Sequence, residues 1–120
     1  MPALDPLGFS KLIIRTCQKF PFVTTVSVVI EDGIILKMRV YLEDETFIAI
    51  FYNSTTEKTS FALIKENARL FGANNSYTGW HLHPFDSPEM HIASTALTFE
   101  QFLEMVARER FPFGKDLTLP

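Results

Sequence analysis

The apolar positions of the chain change their period along its length, and the changes mark out its elements. From Leu7 to Lys19, Ile13, Ile14 and Cys17 recur on one side while Lys11, Arg15 and Lys19 return every four residues on another. This is the spacing of an amphipathic helix. Pro6 opens it and Pro21 closes it. The β-branched run VTTVSVVI follows, then Glu31-Asp32-Gly33, then IILKMRVYL. Two β-rich runs around Asp-Gly predict a hairpin. In the second run Leu36, Met38, Val40 and Leu42 alternate with Lys37, Arg39 and Tyr41, so one face is core and the other wet.

The acidic turn at Glu43, Asp44 and Glu45 leads to FIAIFY, the polar NSTTEK to TSFALI, and Glu66-Asn67 to RLFGA. Connections this short predict an antiparallel meander. After the loop ANNSYTG, Trp80 to His83 reads as a further short strand that Pro84 terminates. Thr98 then opens TFEQFLEMVARERF as an N-cap, with Gln101 at the reciprocal capping-box position. Phe99, Phe102, Leu103 and Val106 share one side of this last helix. The expectation is an α+β fold: an antiparallel meander of five or six strands, with an N-terminal and a C-terminal helix packed on one face.

Composition narrows the class. The 120 residues, 47% hydrophobic and 21% charged, are read as a single domain over 1–120, which excludes a disordered tail and a separate cofactor domain. Twelve phenylalanines point to an aromatic core and favour a homo-oligomer. A formal net charge of -3 excludes a generally basic surface, so any contact with nucleic acid is local. The Lys11/Arg15/Lys19 stripe is read first as a solvated helix face. The single cysteine, Cys17, rules out an internal disulfide and is expected to be a small buried hydrophobe. The start MPALDP has neither a basic region nor an apolar run, and no stretch approaches the ~20 apolar residues of a membrane span. The expected location is cytoplasmic, without membrane association, which leaves the sequons at Asn53 and Asn74 without meaning.

The chemistry concentrates in one place. All three histidines, His81, His83 and His91, fall within eleven residues, beside Asp86 and Glu89. On a strand His81 and His83 project together while Trp80 and Leu82 face the other way. Imidazole serves both proton transfer near neutral pH and metal ligation. Three readings stay open: packed structural histidines, a metal-independent catalytic pair formed by His81 and His83, and a zinc-type site of His81, His83 and His91. Lys37, Arg39 and Tyr41 on one strand face, Arg69 ahead of the histidine strand, and Tyr52 on a neighbouring strand offer a surface suited to a phosphodiester. On it, cations hold phosphate and a histidine pair serves a transesterification of RNA. Asn74 and Asn75 read as a turn beside the histidines.

In layout, EDGIILKMRVYL, RLFGANN, GWHLHP, a further histidine and the closing TFEQFLEMV resemble the TumE-type family of small toxins, over about residues 23 to 107. Members of that family are encoded beside helix-turn-helix antitoxins. The resemblance implies a toxin of the toxin-antitoxin type acting as an endoribonuclease on RNA, with an antitoxin protein as partner. It matches His81 and His83 to the family's H-x-H pair, Arg69 to its arginine, and Asn74 or Asn75 to its asparagine. Ala73 and Asn74 stand where the family carries an aspartate.

The expected site is therefore His81 and His83 as catalytic residues, with Lys37, Arg39, Arg69 and Asn75 as substrate contacts and no metal or other cofactor. Two alternatives remain. One is a non-catalytic homo-oligomeric interaction domain; the other is a metal-binding protein holding zinc on His81, His83 and His91. Catalysis requires Lys37, Arg39 and the histidine pair to lie on one concave face.

Overall fold

The computed structural model describes residues 4–76 and 79–112. Helix α1 spans Pro6–Cys17, strands β1 to β5 span Val23–Glu31, Ile35–Leu42, Phe47–Asn53, Thr59–Lys65 and Ala68–Asn74, and the short strands β6 and β7 span His81–His83 and Ile92–Ala93. Helix α2, Phe99–Arg110, closes the order. The strands form one antiparallel sheet in sequence order, β1 to β7. The expected α+β meander is present, with more strands than expected. The addition is β7, whose two residues carry no periodic signal of their own.

Local chemistry accounts for the elements. Asp32 and Gly33 both take positive φ, 55° and 67°, as the hairpin turn between β1 and β2 demands of its two central residues. Asp5 caps α1 by accepting a 2.7 Å hydrogen bond from the Gly8 amide. The capping box of α2 is complete: the Gln101 amide donates to Thr98 Oγ1 at 3.1 Å, and the Thr98 amide donates to Gln101 Oε1 at 2.9 Å.

One sheet face carries both helices. Leu36, Met38, Val40, Ile48, Ile50, Phe61, Leu63 and Phe71 meet Ile13 of α1 and Phe99, Phe102, Leu103 and Val106 of α2 in a continuous buried core. Phe102 lies 5.4 Å from Phe61 and 5.0 Å from Phe71 between ring centroids, so the phenylalanine-rich composition is largely spent on this layer. The inner face of α1 differs from the expected one. Ile13 and Cys17 are buried as expected, but Ile14 is exposed and Pro6, Ser10 and Thr16 complete the face, because the sheet meets the helix along the row that repeats at three and four residues through Ile13.

Cys17 is buried, and desolvation raises its thiol pKa to about 11, so it behaves as packing. Tyr52 belongs to this layer as well. It pairs with Leu36 across β2 and β3, its hydroxyl donates to the Leu4 carbonyl at 2.7 Å, and its ring packs edge-on to Phe9 at 4.5 Å. It is thus on the helix side, away from the histidines. No helix among the described residues is long and apolar enough to cross a membrane.

Candidate functional site

Among the described residues no helix covers the second sheet face, and two cross-strand rows run along it. Directly paired residues of antiparallel strands share a face. The register therefore places Lys37, Phe51, Ser60, Asn74 and His81 in one row, and Arg39, Ala49, Ala62, Gly72 and His83 in the next. Lys37, Arg39 and the histidine pair lie on the same face. At the usual interstrand spacing, β2 stands ~19 Å from β6, so the two groups bracket a surface.

The small side chains in the middle of these rows leave a shallow cleft of about 420 Å³, lined by Lys37, Arg39, Ala49, Phe51, Ser60 and Ala62 among others. It ends on β4. Gly72 and Asn74 continue its floor toward the histidines.

The three histidines form a tight cluster. The β6–β7 register pairs His81 with Ala93 and Leu82 with Ile92, and one further step sets His91 opposite His83. Ring centroids are 5.3 Å apart for His81 and His83, 4.8 Å for His81 and His91, and 4.4 Å for His83 and His91. His81 and His83 are buried and His91 is exposed. Leu82 and Trp80 pack against the core, as the alternation requires. Asp86 and Glu89 are exposed on the intervening loop, outside the cluster.

A β-bulge delivers Arg69. Between β4 and β5 the register passes from Leu63 with Phe71 to Ile64 with Arg69, leaving Leu70 as the extra residue. Strict alternation from Phe71 would turn Arg69 toward the core. The bulge turns it to the open face instead, as bulges beside functional sites commonly do. Its guanidinium then crosses Gly72, where a Cβ would lie 3.0 Å from Arg69 Cδ. Nη2 donates to the Pro88 carbonyl at 2.9 Å and lies 3.1 Å from His83 Nδ1.

The hydrogen-bond network assigns the His83 tautomer. Asn74 Oδ1 accepts from the Ser76 amide and hydroxyl, so its amide nitrogen faces His83 Nε2 at 3.3 Å and can only donate. Nε2 is thus the acceptor, and Nδ1 carries the proton and donates to the Pro88 carbonyl at 3.0 Å; Arg69 Nη2, itself only a donor, shares that carbonyl, so its 3.1 Å approach to Nδ1 is not a hydrogen bond in this tautomer. Burial lowers the His83 pKa below the usual histidine value, and the charges of Arg69 and of His91 and His81 lower it further, against the Pro88 hydrogen bond. His81 Nδ1 lies 3.3 Å from the Gly79 carbonyl, which favours the same tautomer.

The remaining expected contacts fall elsewhere. Asn75 points away: its Nδ2 donates to the Glu57 carbonyl at 2.8 Å and its Oδ1 accepts from the Thr59 amide at 2.8 Å, fastening the start of β4. Asn74 is the asparagine at the cluster. Lys37 pairs with Glu31 at 3.3 Å, and the Arg39 guanidinium lies 4.7 Å from the Phe47 ring centroid. Both are at the cleft and neither reaches the histidines. The Lys11/Arg15/Lys19 stripe lies on α1 and in the turn after it, where Lys19 pairs with Glu100 at 3.1 Å.

Sequence reasoning missed the bulge and the role of Gly72. The small residues along the rows were the available signal. Three neighbouring imidazoles, a guanidinium and an amide on an open face suit proton transfer at, or binding of, an anionic or metal-ion ligand. No known protein family, curated protein or solved structure matches the chain.

Proposed function

We propose that the chain is a small toxin-like endoribonuclease that cleaves RNA without a metal, using His81 and His83. The observation that carries this reading is the convergence of Arg69, Asn74, His81, His83 and His91 on the same sheet face as, and two strands beyond, a cleft that bears Lys37 and Arg39. These include the arginine, asparagine and histidine pair to which the TumE-type resemblance points.

The chemistry is a transesterification. Nε2 of His83 accepts the proton of the 2′-hydroxyl while O2′ attacks phosphorus, the P–O5′ bond breaks, and His81, entering the step as the imidazolium, gives its Nε2 proton to the departing O5′. The products are a 2′,3′-cyclic phosphate and a 5′-hydroxyl. N–H groups of Arg69 not used on Pro88 face the phosphate and its developing charge. The cleft and its two cations hold the single strand on one side of the scissile bond. On this reading the protein acts in the cytoplasm and an antitoxin protein restrains it.

Induced expression with end-mapping of cellular RNA tests the reading, supported by cleavage in chelator with purified protein. Growth arrest and cyclic-phosphate ends from wild type, both lost in a folded His83→Ala variant, are expected. No cleavage by wild type, or cleavage unchanged in the variant, overturns it.

The edge of β1 favours a second reading, that of a homodimeric interaction domain. Among the described residues β1 is an edge of nine residues with no strand paired outside it, Val28, Val29, Ile30 and the adjacent Ile34 are exposed, and it carries none of the lysines or prolines that usually blunt such edges. A second copy paired antiparallel about Ser27 would set Val26 against Val28 and Thr25 against Val29. Light scattering of wild type and Val29→Lys decides it: a dimer that the lysine converts to monomer supports the interface, and a monomeric wild type removes it.

A further inference from the structure

We propose that His81, His83 and His91 together bind one divalent transition-metal ion of the zinc class, leaving a coordination position open toward the sheet's open face. The proposal stands on the geometry of the cluster and holds whether or not the protein cleaves RNA.

One ring nitrogen from each histidine lies within 4.8 Å of the other two. Zinc–imidazole bonds of about 2.0–2.1 Å in a tetrahedral site set their nitrogens about 3.3 Å apart, so the cluster has to contract modestly. His91 is exposed beside the two-residue strand β7 and is the member free to move inward. His81 and His83 are held from behind. His83 Nδ1 faces the Pro88 carbonyl at 3.0 Å and His81 Nδ1 faces the Gly79 carbonyl at 3.3 Å, which directs each Nε2 lone pair outward. A backbone carbonyl on the far nitrogen is how metal-ligating histidines are commonly fixed in tautomer and orientation.

The donor set selects the ion. Three imidazoles without thiolate or carboxylate suit zinc, nickel or copper, while magnesium and calcium prefer oxygen. The Arg69 guanidinium touches the Nδ1 side of His83, away from the Nε2 that would ligate. The one bond that must give way is from Asn74 to that Nε2, long at 3.3 Å. On the ribonuclease reading above, such an ion occupies the lone pairs that proton transfer needs and acts as an inhibitor.

The experiment uses the full chain without a histidine tag, stripped with chelator and titrated with zinc chloride by calorimetry and thermal unfolding. Wild type is expected to bind one equivalent saturably and to unfold at higher temperature, with no response to magnesium. His91→Ala, at an exposed position, is expected to keep the metal-free unfolding temperature and to lose at least about tenfold in zinc affinity. Asn74→Ala is expected to bind more tightly. Absence of saturable one-to-one binding by wild type, or equal affinity in His91→Ala, overturns the proposal.

Discussion

Arg69 reaches across Gly72, and the missing side chain at residue 72 is what makes the crossing possible. An added Cβ would sit 3.0 Å from Arg69 Cδ and 3.3 Å from the Phe61 carbonyl oxygen. The first neighbour is a flexible side chain and can shift, whereas the second is backbone. Gly72→Ala is therefore expected to displace the guanidinium from His83 and Pro88 while the sheet persists. Because the backbone of Gly72 does not take positive φ, the stability change should stay within about 1 kcal/mol. On the proposed ribonuclease reading, RNA cleavage is expected to fall at least about tenfold, the scale of a lost charge-assisted contact. Paired cleavage rates and urea midpoints check this; full activity with a displaced Arg69 would remove the arginine from the site.

The C-terminal end of α2 is fastened by charge. Arg110 Nε donates to Asp44 Oδ2 at 2.9 Å, and Asp44 also accepts from the Thr46 amide and hydroxyl. Burial alone would raise the Asp44 pKa, but the Thr46 and Arg110 hydrogen bonds and the Arg110 charge outweigh it and lower the pKa below the ordinary value of 3.8. A carboxyl depressed on folding contributes stability that is fully present above its unfolded pKa and is lost as pH falls through the folded one. Arg110→Ala is expected to destabilise by about 1 kcal/mol at neutral pH, since the pair is still partly solvated. The difference between variant and wild type should shrink below about pH 4. Urea titrations of both proteins across that range measure it.

At the other end of α2, Thr98 satisfies the Gln101 amide and Gln101 reciprocates at the Thr98 amide. Thr98→Ala removes the hydroxyl acceptor and is expected to cost about 1 kcal/mol. Because α2 covers Phe61 and Phe71 from the side opposite the histidines, the loss should appear in the unfolding midpoint and leave the metal-free cluster intact. Histidine ring chemical shifts close to those of wild type, alongside a lowered midpoint, are the expected result.

The legibility of the fold followed from local signals. The Asp-Gly turn, the alternation through Leu36 to Leu42 and the Thr98/Gln101 pair each act within a few residues, and each is present as read. The histidine pair was legible for the same reason, since the period of two on β6 sets His81 and His83 on one face. The missed features depend on pairing between distant segments. Two residues cannot announce β7, yet it is the β6–β7 register that brings His91 to His83. The bulge at Leu70 reverses the face of Arg69, and alternation alone would have turned this arginine to the core. Tyr52 is on the helix side because its partner is Leu36, a relationship of register. Neighbouring asparagines divide in the same way: Asn74 turns to His83 and Asn75 to the β3–β4 loop.

Lys37 and Arg39 lie at the far ends of the rows that finish at His81 and His83, about four strand spacings away. On the proposed ribonuclease reading, neither assists a reacting phosphate at that distance, and their contribution is to affinity for the rest of a single strand. Their present partners are weak competitors. The Lys37–Glu31 pair is exposed, and Arg39 stacks on Phe47 and makes no side-chain hydrogen bond among the described residues. A Lys37→Ala/Arg39→Ala double variant should bind a short single-stranded RNA more weakly at low salt and converge toward wild type as salt is raised. Each lost phosphate contact is expected to lower the slope of log affinity against log salt by about 0.7, so the pair by about 1.4. On the same proposed reading, the cleavage rate at saturating RNA is expected to change little, because His81 and His83 are untouched. Binding isotherms at several salt concentrations, with single-turnover cleavage beside them, separate the two effects. An unchanged slope would mean that RNA does not follow the cleft, and a lost saturating rate would place the two cations nearer the chemistry than the register allows.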